Sequence, residues 1–492
     1  MAFTDRLANR GSISTGYDID YSLLIDGQHS DGSITQTGGD RKTHTISFWH
    51  KRAPRGTWNS DSNGGIDMTT NDLWGTPSEG DTLRFNTSYL AFFHEGGTGS
   101  SLQTDRKFRD CAAWYHFVVA IDTTQGTASN RVKIYVNGVQ ETSFSAETYP
   151  DQNDEFKLMQ NGHTLYIGAG HGGNTQYGAQ GYYAEFIIVD GAALAPTEFG
   201  EFDSSGTWKP KEFTGDFNVG SGTNGGHYEF EGTAEGTGSG ATGLDSSGNS
   251  NTFNFRNQYG AMLDTPTNNF CVLNSQAGRN YDGTSSGELS LGSGRIDTTG
   301  SSAWTSFLGT LPFSSGKWYW ELENISGYTA CGILNVDLTD KLYEVSGAEG
   351  IAYRSWNGGA LARDGNADVS TGLGAPDSNN WVWRFWVDMD NGKFSVASHG
   401  AVGTVIDEVD IGDCFDNGRM VIPFVRQYNS TECNVNFGKN GFWRSNNRPG
   451  WYDSFNHNGR ADDNGYGLFE YTPNANSKSY YTLCTKNLAE FG

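Results

Sequence analysis

The chain has 492 residues, with 33 Lys and Arg against 57 Asp and Glu, giving a formal net charge of −24 and a pI of about 4.7. That length exceeds what one hydrophobic core serves. That charge repels phosphate backbones and anionic membrane faces, which excludes nucleic acid as a partner and membrane insertion as a mode of action.

With 67 Gly, 14 Trp, 23 Tyr and 29 Phe and few helix-forming runs, the composition fits short strands broken by frequent turns, so the expected fold class is all-β. Short antiparallel strands need a second sheet to cover their apolar face, which makes sandwiches the natural architecture. Solubility and blunted sheet edges account for the acidity by themselves. Cys111, Cys271, Cys331, Cys414, Cys433 and Cys484 show neither CxxC pairs nor regular spacing and read as free thiols in cores. The first residues carry charges but no apolar leader, and no 18-residue apolar run occurs, so folding in a cytoplasm is expected.

Residues 1–21 are polar and read as an N-terminal arm, free or docked on a neighbouring subunit. Strand patterns follow at Tyr21–Ile25 and in KTHTISFWHKRA, where Thr43, Thr45, Ser47 and Trp49 share one face and His44, Ile46, Phe48 and His50 the other. Further strands are expected at 81–85, 89–93, 114–121, 131–136, 164–168 and 182–189. Asn137-Gly138 predicts a type I′ hairpin, and Pro196 a short helical turn over Ala195–Glu198.

The series TISFWHKR, AWYHFVVAID, RVKIYVNGVQ, LYIGA and AEFIIVDGAALAPTEFGEF resembles the laminin-G/concanavalin-A-like jelly roll in the version common in structural proteins of tailed bacteriophages, over about residues 22–215.

Residues 216–265 are Gly-rich and read as a connector. Two short strands are expected in it, at His227–Glu231 and Asn251–Phe255, pairing with one half or the other. After it comes GKWYWELEN, with Trp318, Trp320 and Leu322 on one face and Tyr319, Glu321 and Glu323 on the other. The strands CGIL, GIAYRSWNGGAL, WVWRFWVDMDNGKFSVAS, MVIPFV and CNVNFGKNGF follow, with Asp388–Gly392 as a hairpin turn. The order KWYWE, CGI, WRFWVDMDNGKFSVASHG and PFVRQYNSTECNVNFGKNGF resembles a SPRY domain over about residues 266–492, so two jelly-roll sandwiches in one chain are expected.

Sugar-bond hydrolysis needs two carboxylates roughly 5 to 10 Å apart. Glu229/Glu231 and Glu321/Glu323 have the spacing, but the second pair reads as the solvent face of a strand whose other face is tryptophan. No GxSxG elbow or Cys–His signature occurs, and His163 and His171 flank a strand in Gly-rich loops as surface residues. Asp364, Asn366 and Asp368 supply oxygens at positions 1, 3 and 5 of a calcium loop, but Val369 and Ala375 stand where Gly and Glu belong. Asp61, Asn63 and Asp67, and Asp151 and Asp154, are looser still; turn chemistry accounts for all three groups. The expectation is no catalytic residue and no cofactor, with calcium the one metal to test.

For sugar binding the loop-borne candidates are Arg354, Trp356, Asn357, Trp443, Asn446, Trp451 and Tyr452, since flat aromatic faces beside hydrogen-bonding groups suit carbohydrate. A Trp in such a loop equally caps a core or packs against a subunit. The resemblance implies a non-enzymatic virion surface protein, a tail or head fibre. It would be a homo-oligomer in contact with other virion proteins and would adhere to host-surface glycans. A capsid-decoration or tail-adaptor role is the alternative, and a glycan depolymerase a third.

Overall fold

A computed structural model of the chain describes residues 16–25, 31–53, 56–57, 71–77, 80–95, 100–168, 180–232, 236–256, 261–274, 279–280, 288–290, 295–297, 304–324, 328–336, 350–354, 360–363, 366–370, 381–398, 405–411, 420–428, 432–439, 460–474 and 477–491. The described chain is all-β apart from short 3-10 turns and one closing helix, Thr485–Phe491, and forms two sandwiches. No helix among the described residues is long and apolar enough to cross a membrane.

In the first sandwich one sheet runs Val139–Gln140, Val132–Val136, Trp114–Asp122, Thr43–Arg52, Gly181–Asp190, Ser22–Ile25 and Ala261–Met262 in spatial order. The facing sheet runs Phe144–Thr148, Ser100–Lys107, Tyr89–His94, Thr82–Asn86, Asn71–Gly75, Thr164–Ile167, Asp31–Thr35 and Asn254–Arg256. Ile46, Phe48, Phe117, Phe186, Phe85, Phe92 and Trp74 fill the space between. Asn137 and Gly138 have φ of 47° and 78°, the positive angles that a type I′ turn requires. Pro196–Glu198 is a 3-10 turn with Pro at its first position.

The alternation predicted for Thr43–Arg52 holds, but its second face is not wet. Trp49 packs there with Trp114, Tyr182, Trp208 and Met262, and farther along Ile187 and Val189 pack under Phe199 and Phe213. The Gly-rich stretch is built into this sandwich. Gly226–Tyr228 pairs with Gly181–Asp190 and Asn254–Arg256 with Asp31–Thr35, while Tyr228, Phe230, Phe253 and Phe255 enter the main core. Four aromatic side chains thus anchor a segment otherwise too polar to fold on its own.

The second sandwich pairs one sheet, in order 279–280, Trp304–Leu308, Val421–Tyr428, Tyr328–Asn335, Gly350–Arg354, Ala360–Arg363 and Asn366–Ser370, with another. That other sheet runs Val405–Asp410, Lys393–Ser398, Trp381–Asp388, Lys317–Asn324, Glu432–Asn436, Arg295–Asp297, Glu288–Ser290 and Gly56–Thr57. Gly56–Thr57 comes from the first half of the chain. Trp318, Trp320, Leu322, Trp383 and Phe385 face the core, as the alternation requires.

Tyr319, Glu321 and Glu323 do not face solvent, contrary to the sequence expectation. Glu321 and Glu323 are 0% and 1% exposed, because the C-terminal stretch lays Phe469 and Tyr480 over Tyr319 and Trp386. Glu321 accepts hydrogen bonds from the Tyr319 hydroxyl (2.8 Å) and from the backbone N–H groups of Tyr471 (2.8 Å) and Glu470 (3.0 Å). Asn434 donates to Glu323 at 3.1 Å. Burial pushes the Glu321 carboxyl up to about 8, against the downward pull of those donors.

The sandwiches meet through residues 264–273. Lys51, 0% exposed, donates to Asp264 (2.7 Å), to the Asn269 side-chain oxygen (2.7 Å) and to the Phe270 carbonyl (3.1 Å), which satisfies all three of its protons. Asp264, also 0% exposed, accepts in addition from Trp114 Nε1 (3.1 Å) and the Phe270 N–H (3.3 Å). Ser22 donates to the Asp264 carbonyl at 2.6 Å. Cys111, Cys271, Cys331, Cys433 and Cys484 are free and buried, and burial raises Cys271, Cys331 and Cys484 to about 11, 12 and 12. Cys414 lies outside the described residues.

Removing one member of a buried pair strands the other charge, so Asp264→Asn is expected to cost about 3–5 kcal/mol in urea unfolding. The double change Lys51→Met with Asp264→Leu should cost less than the sum of the single changes if the pair acts as a unit. For Glu321, a raised folded value means that its stabilisation is complete below the ordinary carboxylate range and disappears as pH rises through about 8. Urea titrations from pH 4 to 9 are expected to show a fall of a few kcal/mol that is absent in Glu321→Gln; equal profiles for the two proteins would contradict the protonated assignment.

Candidate functional site

Of the sugar-binding candidates, Arg354 is described; Trp356, Asn357, Trp443, Asn446, Trp451 and Tyr452 lie outside the described residues. Arg354 ends the strand Gly350–Arg354, and its position is fixed by antiparallel register. Ala330 stands opposite Arg354 on one side and opposite Arg426 on the other, and Tyr328 stands opposite Tyr428. Directly opposed residues share a sheet face, as do residues two apart on a strand. Tyr328, Ala330, Arg354, Arg426 and Tyr428 therefore occupy one face, turned away from the core that holds Cys331, Tyr353 and Val425.

That outer face carries a buried apolar strip, Leu308, Ala330, Leu334, Ala352, Ile422 and Phe424, which gives way to the polar group at one rim. The Tyr328 and Tyr428 rings lie 6.3 Å apart at 41°, and Tyr328 is 51% exposed. Arg426 is 9% exposed, and burial, followed by the charge of Arg354, pulls it down to about 10. Arg354 and Arg426, on the strands either side of Ala330, place two cations on one face, and like charges brought together favour an anion beside them. Each guanidinium offers a planar donor fork that matches a carboxylate, and a neighbouring phenol ring offers a flat face for the C–H side of a sugar.

Sequence reading named Arg354, but not the Tyr328, Arg426 and Tyr428 that share its sheet face. The Arg-x-Tyr spacing in VIPFVRQY places Arg426 and Tyr428 on one face, but only the pairing with Tyr328–Asn335 brings them beside Arg354.

The other candidates separate. Asp364 lies outside the described residues, and Asn366 and Asp368 fall in the strand Asn366–Ser370. Asn366 stands opposite Arg363 where this strand pairs with Ala360–Arg363. Asp61, Asn63, Asp67 and His171 are also outside. Asp154 accepts from His94 Nε2 at 3.2 Å, and the other ring nitrogen meets Asp81 at 2.5 Å. His163 closes a backbone turn against Gln160. Glu229 and Glu231 lose their strand alternation because the strand ends at Tyr228 and Phe230 has φ of 58°. Glu321 and Glu323 are enclosed, so neither reaches a sugar bond from solvent.

No curated protein matches the chain. The chain is similar to the SPRY domain of human HERC1 (14% identity, TM-score 0.26, covering 33% of this chain and 96% of that one) and to the PSpry domain of TRIM65 (10%, 0.27, 34% and 91%). It is also similar to the heptameric SAP-like pentraxin of Limulus polyphemus (15%, 0.27, 37% and 80%). Residues 26–198, within the first sandwich, match the family Laminin_G_3, the Concanavalin A-like lectin/glucanases superfamily.

Proposed function

We propose that the chain is a non-catalytic carbohydrate-binding protein. It engages sugars that carry carboxylates, and it does so as an oligomeric adhesin on the surface of a bacteriophage particle. The lectin-superfamily match over residues 26–198 carries the carbohydrate reading. The tyrosine and arginine patch gives the second sandwich the chemistry for it, and the likeness of the strand series to phage structural proteins supports the setting. The closely spaced carboxylate pair Glu321 and Glu323 on the strand Lys317–Asn324 is enclosed and hydrogen-bonded, which favours binding over hydrolysis. Single sugar sites of this kind are weak, and an oligomer converts them into avidity.

A glycan array probed with the full-length protein, with and without calcium, tests this reading. Binding is expected to concentrate on carboxylate-bearing glycans, and Tyr328→Ala and Arg354→Ala are each expected to lower apparent affinity about tenfold or more. Silence on every glycan from an intact oligomer would replace this reading with the decoration or adaptor role.

A further inference from the structure

A second group of side chains gathers on the first sandwich, far in sequence from the patch. The strand Gly181–Asp190 slips register against Thr43–Arg52 between Ala184 and Ile187, and within that bulge Glu185 has φ of 49°. A left-handed backbone at a non-Gly residue costs of order 1–3 kcal/mol and persists only where the surroundings impose it. The Gly-rich segment lays Gly226–Tyr228 along the same strand just beyond the bulge, with Ile187 opposite His227. His227 Nε2 thereby comes to 2.8 Å from Glu185 Oε2. Glu229 joins them, and the ligand atoms of Glu185, His227 and Glu229 all lie within 4.8 Å of one another.

The surroundings fix this arrangement and add negative charge. Asp245 accepts the His227 backbone N–H at 3.0 Å, and the Phe217 ring stacks on the imidazole at 5.9 Å and 17°. The Tyr17 hydroxyl hydrogen-bonds Glu185, and Glu212 lies close enough to act on it. Glu185 and His227 have side-chain exposures of 9% and 15%, so the cluster is sheltered yet open on one side. Three carboxylates, Glu185, Glu229 and Asp245, thus act on one imidazole.

We propose that Glu185, His227 and Glu229 form a three-ligand site for a divalent transition-metal ion, with zinc as the best fit. An imidazole nitrogen with two carboxylate oxygens suits zinc better than calcium, which takes oxygen ligands only, and three protein ligands leave a fourth tetrahedral position for water or a ligand. Bonds of 2.0–2.2 Å to a tetrahedral ion set the ligand atoms about 3.3 Å apart. His227 and Glu185 therefore part slightly and Glu229 closes in, a shift within the reach of side-chain rotation. On binding, the ion replaces the direct hydrogen bond between His227 and Glu185. The ion would pin the Gly-rich segment to the bulge beside Tyr228 and Phe230, which already anchor it in the core.

The test is zinc uptake by the full-length, chelator-treated protein, read by isothermal titration and by the shift of the thermal midpoint, with Ca²⁺ and Mg²⁺ as comparison ions. One high-affinity zinc ion per chain and a raised midpoint are expected. Glu229→Gln and His227→Asn should each weaken binding at least tenfold, and Glu229→Gln should leave the metal-free midpoint close to that of the parent. Glu229 is partly exposed, so its replacement tests the site even if the His227 variant folds poorly. Absence of stoichiometric uptake, undiminished uptake in a well-folded Glu229→Gln protein, or a preference for Ca²⁺ would each overturn the assignment.

Discussion

The buried contact between Lys51 and Asp264 is the constraint on which the arrangement of this molecule turns. Two opposite charges with no exposure to water survive only when every remaining donor and acceptor is met. Here three partners take the lysine protons, and indole and backbone donors complete the carboxylate. Those partners belong to different parts of the chain. Lys51 and Trp114 stand on the first sandwich, and Asn269 and Phe270 lead into the second. Asn269 also bonds the Ala112 carbonyl on one side and Thr485 of the closing helix on the other. The polar network is geometrically demanding, so it sets how the neighbouring aromatic surfaces meet; Trp49, Tyr182 and Met262 then exclude water from it.

Both proposed sites depend on a similar kind of placement. Arg354 and Arg426 are neighbours because both strands share Tyr328–Asn335, and His227 meets Glu185 because a bulge turns one strand while the Gly-rich segment supplies the other. In a chain of net charge −24 the two kinds of site are complementary. One gathers positive charge on an otherwise acidic molecule, and the other gathers negative charge around a single ring.

The sequence revealed the strands well, because alternation and turn chemistry are local. The Thr43–Arg52 faces, the Asn137-Gly138 hairpin and the Pro196 turn all follow from a few adjacent residues. What alternation cannot report is whether a face is covered. Glu321 and Glu323 do share a face, as their spacing says, but the cover arrives from Phe469 and Tyr480, about 150 residues later. The Gly-rich stretch misleads for a related reason: four aromatic residues suffice to seat it, and composition averages them away. Of the proposed sugar-binding residues, Arg354 was named from the sequence as loop-borne, whereas it ends the strand Gly350–Arg354. Its companions were not, since their proximity exists only in the register of three strands.

The entry of Gly56–Thr57 into the sheet of the second sandwich, beside Glu288–Ser290, has a consequence for biosynthesis. Together with Ser22 bonding Asp264 across 242 positions, it means that the opening strands cannot complete their pairing when they leave the ribosome. At elongation rates of 5–20 residues per second the wait is roughly 10 to 50 s. During that interval the edge of Ser22–Ile25 that later takes Ala261–Met262 stays unpaired, an exposed strand edge of the kind that invites pairing with other chains.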